Sequence, residues 1–360
     1  MKQPLLRLAV SHVKNTLANQ VYLQTSVDFT QPVHLHAQLN FKCNSRCSMC
    51  DSWEKGLQGY EELSAELWIK ALDELKYISP DIKVSFAGGE ILQKNDVFDI
   101  FRHCDEKNII YGMITNGLLL NEKNIEKILN LHPYNIHISL DSLDTGGYEA
   151  IRGVRGLEVL KRNVINLMKR LHATNSKTVV TLKTVVCNVN LGELDEIVRF
   201  ADKYKIHGVT FQPIVDITEE AKALFVQDFV KLQDMIDKLI RMKKEGFPIL
   251  NSVDNIRSWV QYFDLSISLS PRVSQVKNNS RCVVSLKNVY ILSSGEIKLC
   301  ELYDDSLGNI KTDSISSVLI SDSAKEKKKV LTHCERNCVY CIKRSLKDYL
   351  YMASQFISRN

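Results

Sequence analysis

An α/β fold organised on a parallel sheet is what this sequence predicts, and two observations predict it. Strand-like runs alternate with helical stripes six times from Val33 onward, which requires parallel strands joined by right-handed crossovers. A cysteine-rich loop, Cys43 to Cys50, follows the first of these runs directly. That is the strand end at which α/β barrels place their chemistry.

Length and composition fit this class. A chain of 360 residues accommodates about two domains, or one large barrel with an appendage. Hydrophobic content of 44% and charge of 25% are those of an ordinary soluble globular protein. The net charge of +5 is mild, and Lys325 to Lys329 reads as a solvated helix face, so no nucleic-acid partner is inferred. Of ten cysteines, eight lie within 43–50 and 282–341, a bunching that fits metal or cluster ligation in a reducing cytoplasm. No transmembrane span is read. Residues 1–20 lack a secretory signal, because Leu5 to Val10 is short and His12 and Lys14 interrupt it. Leu5, Leu6, Ala9, Val13 and Leu17 recur at helical spacing. They predict a helix packed on the barrel, with a membrane-surface position as the alternative.

Each element follows from its pattern. Val33, Leu35, Ala37, Leu39 and Phe41 share one face at period two, with His34, His36, Gln38 and Asn40 between them, as in a half-buried strand. Ser64 is an N-cap for a stripe of Leu67, Ala71, Leu72, Leu75 and Ile78 that Pro80 ends. Ile82 to Phe86 is a strand running into Ala87-Gly88-Gly89-Glu90, and Val97, Ile100, Phe101 and Cys104 mark the next helix. Strand Ile109 to Ile114 ends in Thr115-Asn116-Gly117; helix 121–130 then leads to strand Asn135 to Leu140 and Asp141. Leu157, Leu160, Val164, Leu167 and Leu171 mark a helix, followed by strand 178–186, helix 191–204 and strand Val209 to Phe211. Residues 219–245 read as one long amphipathic helix, 252–264 as a shorter one, and Ser266 to Arg281 as a polar linker.

Within the loop, Cys43, Cys47 and Cys50 are spaced x3 then x2. Three thiolates are one short of the four that hold a [4Fe–4S] cluster, and nothing near in sequence completes a zinc pattern. A redox or zinc loop is the alternative. A three-cysteine cluster leaves one iron open to the amine and carboxylate of a small molecule. The spacing resembles the signature of the radical S-adenosylmethionine (SAM) superfamily, in which SAM occupies that iron. The resemblance implies a partial (β/α)6 TIM-like barrel with flanking helices over 33–264, behind a helical extension of residues 1–32.

The same resemblance assigns site residues. Gly88-Gly89-Glu90 is similar to the family's Gly-Gly-Glu segment, where bare backbone approaches SAM's methionyl amine and Glu90 accepts from it. On its residues alone it is a tight strand-to-helix turn. Asn116, Ser139 and Asp141 are similar to family residues contacting the ribose or carboxylate, though each alone would read as a turn former or N-cap. Met49 matches the apolar residue beside adenine, and Gln212 is an adenine-side candidate. Arg152 fits a recurring family position and equally a structural salt bridge. Ala87 and Ile91 depart from the usual threonine and proline; neither touches cluster ligation, so only local adjustment is expected.

Cys282, a hairpin-like stretch Val289 to Cys300 around Ser293-Ser294-Gly295, and Cys334, Cys338 and Cys341 form a second group. It resembles the SPASM/twitch extension of radical SAM enzymes, here 282–360, which carries auxiliary clusters. Five cysteines are too few for a two-cluster SPASM domain. The resemblance therefore implies one auxiliary [4Fe–4S] cluster held by Cys282, Cys300, Cys338 and Cys341, with Cys334 as the spare or a substitute ligand. A structural zinc site on the same thiols is the alternative.

By resemblance, then, the expectation is a cytoplasmic radical SAM oxidoreductase. An electron from a partner such as flavodoxin or ferredoxin cleaves SAM, and the 5′-deoxyadenosyl radical takes hydrogen from a substrate carbon. The spacing Cys-x17-Cys…Cys-x2-Cys is similar to twitch-type dehydrogenases acting on aminocyclitol alcohols. A dehydrogenation or epimerisation of a small natural-product or sugar-type substrate is expected on that basis. Epimerisation needs a thiol hydrogen donor, for which Cys187 and Cys334 are the candidates, while Cys104 on its apolar stripe reads as core. Peptide maturation is the runner-up, because little chain precedes Val33 to recognise a peptide. An iron–sulfur electron carrier without SAM chemistry is the reading from a different class.

Overall fold

The structure, a computed structural model, describes residues 2–215, 217–268, 281–303 and 305–334. Cys338 and Cys341 lie outside the described residues. The chain opens with α1 (Lys2–Thr25), β1 (His34–Gln38), α2 (Ser52–Leu57), α3 (Ala65–Ile78) and β2 (Lys83–Ala87). It continues through α4 (Val97–Glu106), β3 (Ile110–Thr115), α5 (Glu122–Asn130), β4 (Asn135–Ser139), α6 (Thr145–Arg152) and α7 (Leu157–Ala173). Then come β5 (Val179–Val186), α8 (Leu194–Lys203), β6 (Gly208–Pro213), α9 (Glu219–Ala223), α10 (Phe229–Lys244) and α11 (Val253–Ser268). The C-terminal part adds β7 (Asn288–Ile291), β8 (Glu296–Lys298), β9 (Gly308–Asn309), α12 (Ile315–Ile320) and α13 (Asp322–Thr332).

The strands form one sheet in the order β6-β5-β4-β3-β2-β1-β7-β8-β9. The first six are parallel in chain order, as the alternation predicts. Along each, one set of side chains packs outward under the helices: Leu35, Val84, Phe86, Met113, Ile138, Leu182 and Val209 are fully buried there, with Trp68 and Leu75 of α3 above them. The other set points to the concave interior. His34, His36 and Gln38 on that side of β1 are half-buried, so the strand's polar face lines the barrel rather than the outer surface.

β7 was not foreseen as a barrel strand. It pairs in parallel with β1, His34 opposite Asn288 and His36 opposite Tyr290. An open barrel leaves β1 as an edge, and an edge strand must be covered. The C-terminal segment covers it, then turns through the β7–β8 hairpin, with Tyr290 opposite Lys298.

Three local expectations change. Residues 219–245 are two helices, because Phe225 and Val226 turn inward and the Asp228 side chain caps a new start, accepting from the Lys231 N–H at 2.9 Å. The following helix, α11, is as long as α10 rather than shorter. In α1 the packed face holds Leu8, Asn15 and Asn19, while Val13 and Leu17 of the apolar stripe are exposed. Polar docking explains this: Asn15 donates to the Leu286 carbonyl at 3.3 Å and accepts from the Gln31 N–H at 3.0 Å. Among the described residues, no helix is long and apolar enough to cross a membrane.

Candidate active site

The loop from Cys43 to Cys50 leaves the C-terminal end of β1 and is fastened from several sides. Gly89 and Glu90 donate their N–H groups to the Asn40 and Lys42 carbonyls, both at 2.8 Å. A Cβ on Gly89 would meet the Lys42 oxygen at 2.3 Å, and one on Gly88, at φ +154°, the Asn40 carbonyl at 2.6 Å. The two glycines therefore serve the close crossing of two backbones here. From the other flank, Arg46 and Ser48 donate N–H groups to the carbonyls of Arg152 and Ile151 at 3.1 and 3.2 Å. The αL cap Gly153, at φ +61°, leaves no room for a Cβ against the Arg46 oxygen, 2.1 Å away. Thr218, beyond β6, closes the ring by donating to the Ser48 carbonyl at 2.7 Å.

Glu90 is the centre of the first flank. Its fully buried carboxylate accepts from the Thr115 hydroxyl at 2.8 Å, the Asn116 N–H at 2.7 Å and the Leu92 N–H at 3.2 Å. Burial pushes its pKa up, and these three donors oppose the shift. Glu90 thus spends its acceptors on β3 and its own turn, a use the sequence reading did not foresee. The Asn116 side chain then reaches the cysteine loop, donating to Asn44 Oδ1 at 2.7 Å and Ser45 Oγ at 3.2 Å. Asn40, missed in the sequence, is completely buried and donates to the Glu90 carbonyl at 2.9 Å. Between Leu39 and Phe41 it read only as one more polar residue of the first strand.

On the second flank, fully buried Asp141 pairs with Arg152, Oδ2 to Nε at 2.5 Å, and accepts from the Val185 N–H at 2.7 Å. Arg152 also donates through Nη1 to Cys47 Sγ at 3.7 Å. Burial alone would lower the guanidinium pKa, but Asp141 and Cys47 hold it raised. The salt-bridge reading of Arg152 is the one the structure displays, and its partner is Asp141. Met49 packs half-buried against the core. Ser139 and Gln212 sit half-buried on the inner face at the ends of β4 and β6. Cys187 is fully buried and its thiol pushed up to about 11, first by burial. Cys104 is fully buried core, as its stripe predicts.

The thiols themselves suit iron–sulfur ligation. Burial raises Cys43, and Cys47, Glu90 and Cys50 add to the rise against a 3.4 Å N–H from Ser45. Burial likewise raises Cys47, opposed by Arg152. Thiolates are soft donors, and N–H groups of Ser45 and Arg152 are aimed at the sulfurs of Cys43 and Cys47, an arrangement that favours a cationic iron partner. Among the described residues no three His, Cys, Asp or Glu side chains converge as ligands of a single ion. In the second group, Tyr303 donates to Cys334 at 3.7 Å, drawing Cys334 to the loop that follows Cys300.

Comparison with known proteins gives the relatives of this chain and of its fold. Residues 39–201 match the profile of the Radical SAM superfamily. The chain is similar to the probable GTP 3′,8-cyclase of Archaeoglobus fulgidus, 28% identical over 275 residues, which cover 76% of this chain and 87% of that one. It is similar to the PqqA peptide cyclase of Granulibacter bethesdensis at 25% over 170 residues, covering 47% of this chain and only 44% of that one. Streptococcus suis SuiB bound to its precursor peptide SuiA shares the fold, with a TM-score of 0.64 and 17% identity over 89% of this chain and 74% of that one.

Proposed function

We propose, from the premise that residues 39–201 form a radical SAM domain, that this enzyme oxidises or epimerises a carbon centre of a small substrate held at the barrel mouth. The domain's cofactors are a [4Fe–4S] cluster and SAM, which together supply reductive sulfonium cleavage and hydrogen abstraction by a 5′-deoxyadenosyl radical. Cys43, Cys47 and Cys50 would hold the cluster. Glu90 and Asn116 hold the cysteine loop in register with β2 and β3. Arg152, anchored by Asp141, sets a positive charge beside Cys47. Ser139, Gln212 and Met49 stand at the rim, where the nucleotide would lie.

What carries this reading is that Cys43, Cys47 and Cys50 share one short loop at the end of β1, held there by Asn116 and Arg152. Its test is 5′-deoxyadenosine formation by anaerobically reconstituted protein given dithionite and SAM. Absence of that product from cluster-loaded protein would favour an electron carrier instead. The second cysteine group would hold one auxiliary cluster through Cys282, Cys300, Cys338 and Cys341, with Cys334 available as a ligand beside Tyr303. Peptide modification is a second reading, favoured by the similarity to the PqqA peptide cyclase and to SuiB bound to its precursor peptide. Mass spectrometry of candidate peptides and metabolites after reaction separates the two.

A further inference from the structure

α1 is fastened to the body along one face and at both ends. Leu8, Asn15 and Asn19 are buried on that face, Arg7 pairs with Asp81 at 2.8 Å, and the Leu23 carbonyl accepts from Arg281 Nη1 at 2.5 Å. At 3.6 residues per turn the opposite face carries Val10, Val13, Leu17 and Val21, all exposed, Leu17 at 63%. Val27 and Phe29, just past the helix, extend this apolar surface. The band is one side chain wide and about 16 Å long, the dimensions of a helix–helix seam. A helix lying in a lipid surface presents a broader apolar face with Trp, Phe or Leu.

We propose that residues 342–357 of the same chain occupy this seam as an antiparallel helix. In that stretch Ile342, Leu346, Tyr349, Leu350, Phe356 and Ile357 fall on one side of a helical wheel, with Arg344, Lys347 and Gln355 on the other. An apolar face of this kind is stable only when buried against another element. The path of the chain selects α1. Lys328 of α13 pairs at 2.7 Å with Asp28, three residues past α1, and Cys334 follows Lys328 by six residues. Seven residues then separate Cys334 from Ile342, a reach of at most about 25 Å. The stretch therefore begins within reach of the C-terminal end of α1, and its sixteen residues measure about 24 Å as a helix, enough to run back past Val10. A second copy fits less well, because four side chains fall far short of the roughly 800 Å² per partner of a stable interface. A segment tethered this closely binds at high effective concentration and needs no such area. The contact does not depend on which metal the second cysteine group holds; it ties the chain just past Cys341 to α1.

The test takes the full-length, reconstituted protein through two measurements. Amine cross-linking should join Lys14, which is exposed and flanks the seam, to Lys343 or Lys347. In a mixture of unlabelled and isotope-labelled protein, both joined peptides should come from one chain. Hydrogen exchange should find residues 342–357 protected, and Leu17→Asp should speed their exchange at least about tenfold while the barrel strands exchange as before. Val230→Asp, the same change at an exposed position of α10, should leave them as in the wild type, which separates loss of this contact from a general effect of added charge. Rapid exchange of 342–357 in the wild type, protection that survives Leu17→Asp, or cross-links that are absent or join only different chains overturn the inference. Protection that arises only with anionic lipid vesicles overturns it too, and makes the seam a membrane face instead.

Discussion

From Asn40 to Cys50 the chain is fastened by the turn after β2, by Asn116 after β3, by the end of α6 and by Thr218 beyond β6, through backbone hydrogen bonds, two polar side chains and buried Arg152. The described part of the second cysteine group is built differently. Cys282 precedes a one-turn helix, Cys300 follows a three-residue strand, and Cys334 follows the end of α13. The difference teaches where rigidity is needed. A centre that must aim a radical at one carbon wants its ligands positioned before the cofactors arrive, because misplacement of about an ångström costs orders of magnitude in rate. On the proposed function, a centre that exchanges electrons makes no such demand on the placement of its ligands.

The largest expected effect breaks the comparison outright. Cys43→Ala, Cys47→Ala or Cys50→Ala should abolish 5′-deoxyadenosine formation. Cys300→Ala or Cys334→Ala should preserve SAM cleavage while removing up to one cluster, about four iron atoms per chain. Iron and zinc quantitation with single-turnover product analysis checks both. Zinc at the second group would defeat the auxiliary-cluster reading.

Next in size is the backbone crossing. Gly89→Ala must displace either the turn or the Lys42 carbonyl, and Gly153→Ala meets both a left-handed φ and the Arg46 oxygen. Each should cost about 2–4 kcal/mol or expel the cluster, read by denaturant unfolding and by cluster absorbance. Ordinary stability with full cluster loading in both would show that the loop is not held as described.

How much of this was legible beforehand follows the physics of each feature. Cys43, Cys47 and Cys50 stand out by their spacing, whereas Gly88, Gly89 and Glu90 read on their residues alone as a tight turn after a strand, and it is the backbone crossing at Asn40 and Lys42 that shows what the glycines are for. The six parallel strands declare themselves by period. Which atoms Glu90 would engage was not readable, because Thr115 and Asn116 come from the end of another strand and Asn40 reads as one more polar residue of the first. β7 was hidden for the same reason. A hairpin signal is local, whereas its parallel pairing with β1 joins residues some 250 positions apart (His34 and Asn288). The break before Asp228 was legible as a cap but was overridden by a continuous apolar stripe.

A smaller effect sharpens the comparison at the cluster itself. The Arg152 guanidinium lies against Cys47, and a charge-assisted bond of this kind is worth about 1.5–3 kcal/mol. Only the part of that energy that is larger in the reduced state moves the potential, so losing the bond lowers a one-electron potential by up to about 60 mV. Arg152→Gln should make the N-terminal cluster harder to reduce by that order, leaving the second cluster unmoved, in an EPR-monitored redox titration. Asp141→Asn should move it the same way by less, because the arginine stays but loses its anchor. An unchanged potential in Arg152→Gln would reduce Arg152 to a packing role.

The smallest effect concerns the opposite end of the barrel, where α1 closes on the strand starts. Burial, with Lys287 and Lys83, lowers His12 to about 4, and burial, with Lys183 and Lys83, lowers His36 to about 3. Both fold as neutral rings, while the unfolded chain binds protons near 6.5. Folding is therefore unpenalised above pH 6.5 and loses stability as pH falls below it. The loss is at most about 1.4 kcal/mol per pH unit for each ring, and less where solvent screens it. Urea unfolding between pH 7 and 5 should show this slope, and His12→Asn or His36→Asn should each flatten it. Because His12 belongs to α1 and lies far along the strands from Cys43, acid should loosen α1 before it disturbs the cysteine loop. Hydrogen exchange at pH 5 that opened residues 43–50 before residues 7–25 would place the weaker frame at the cysteines and reverse that order.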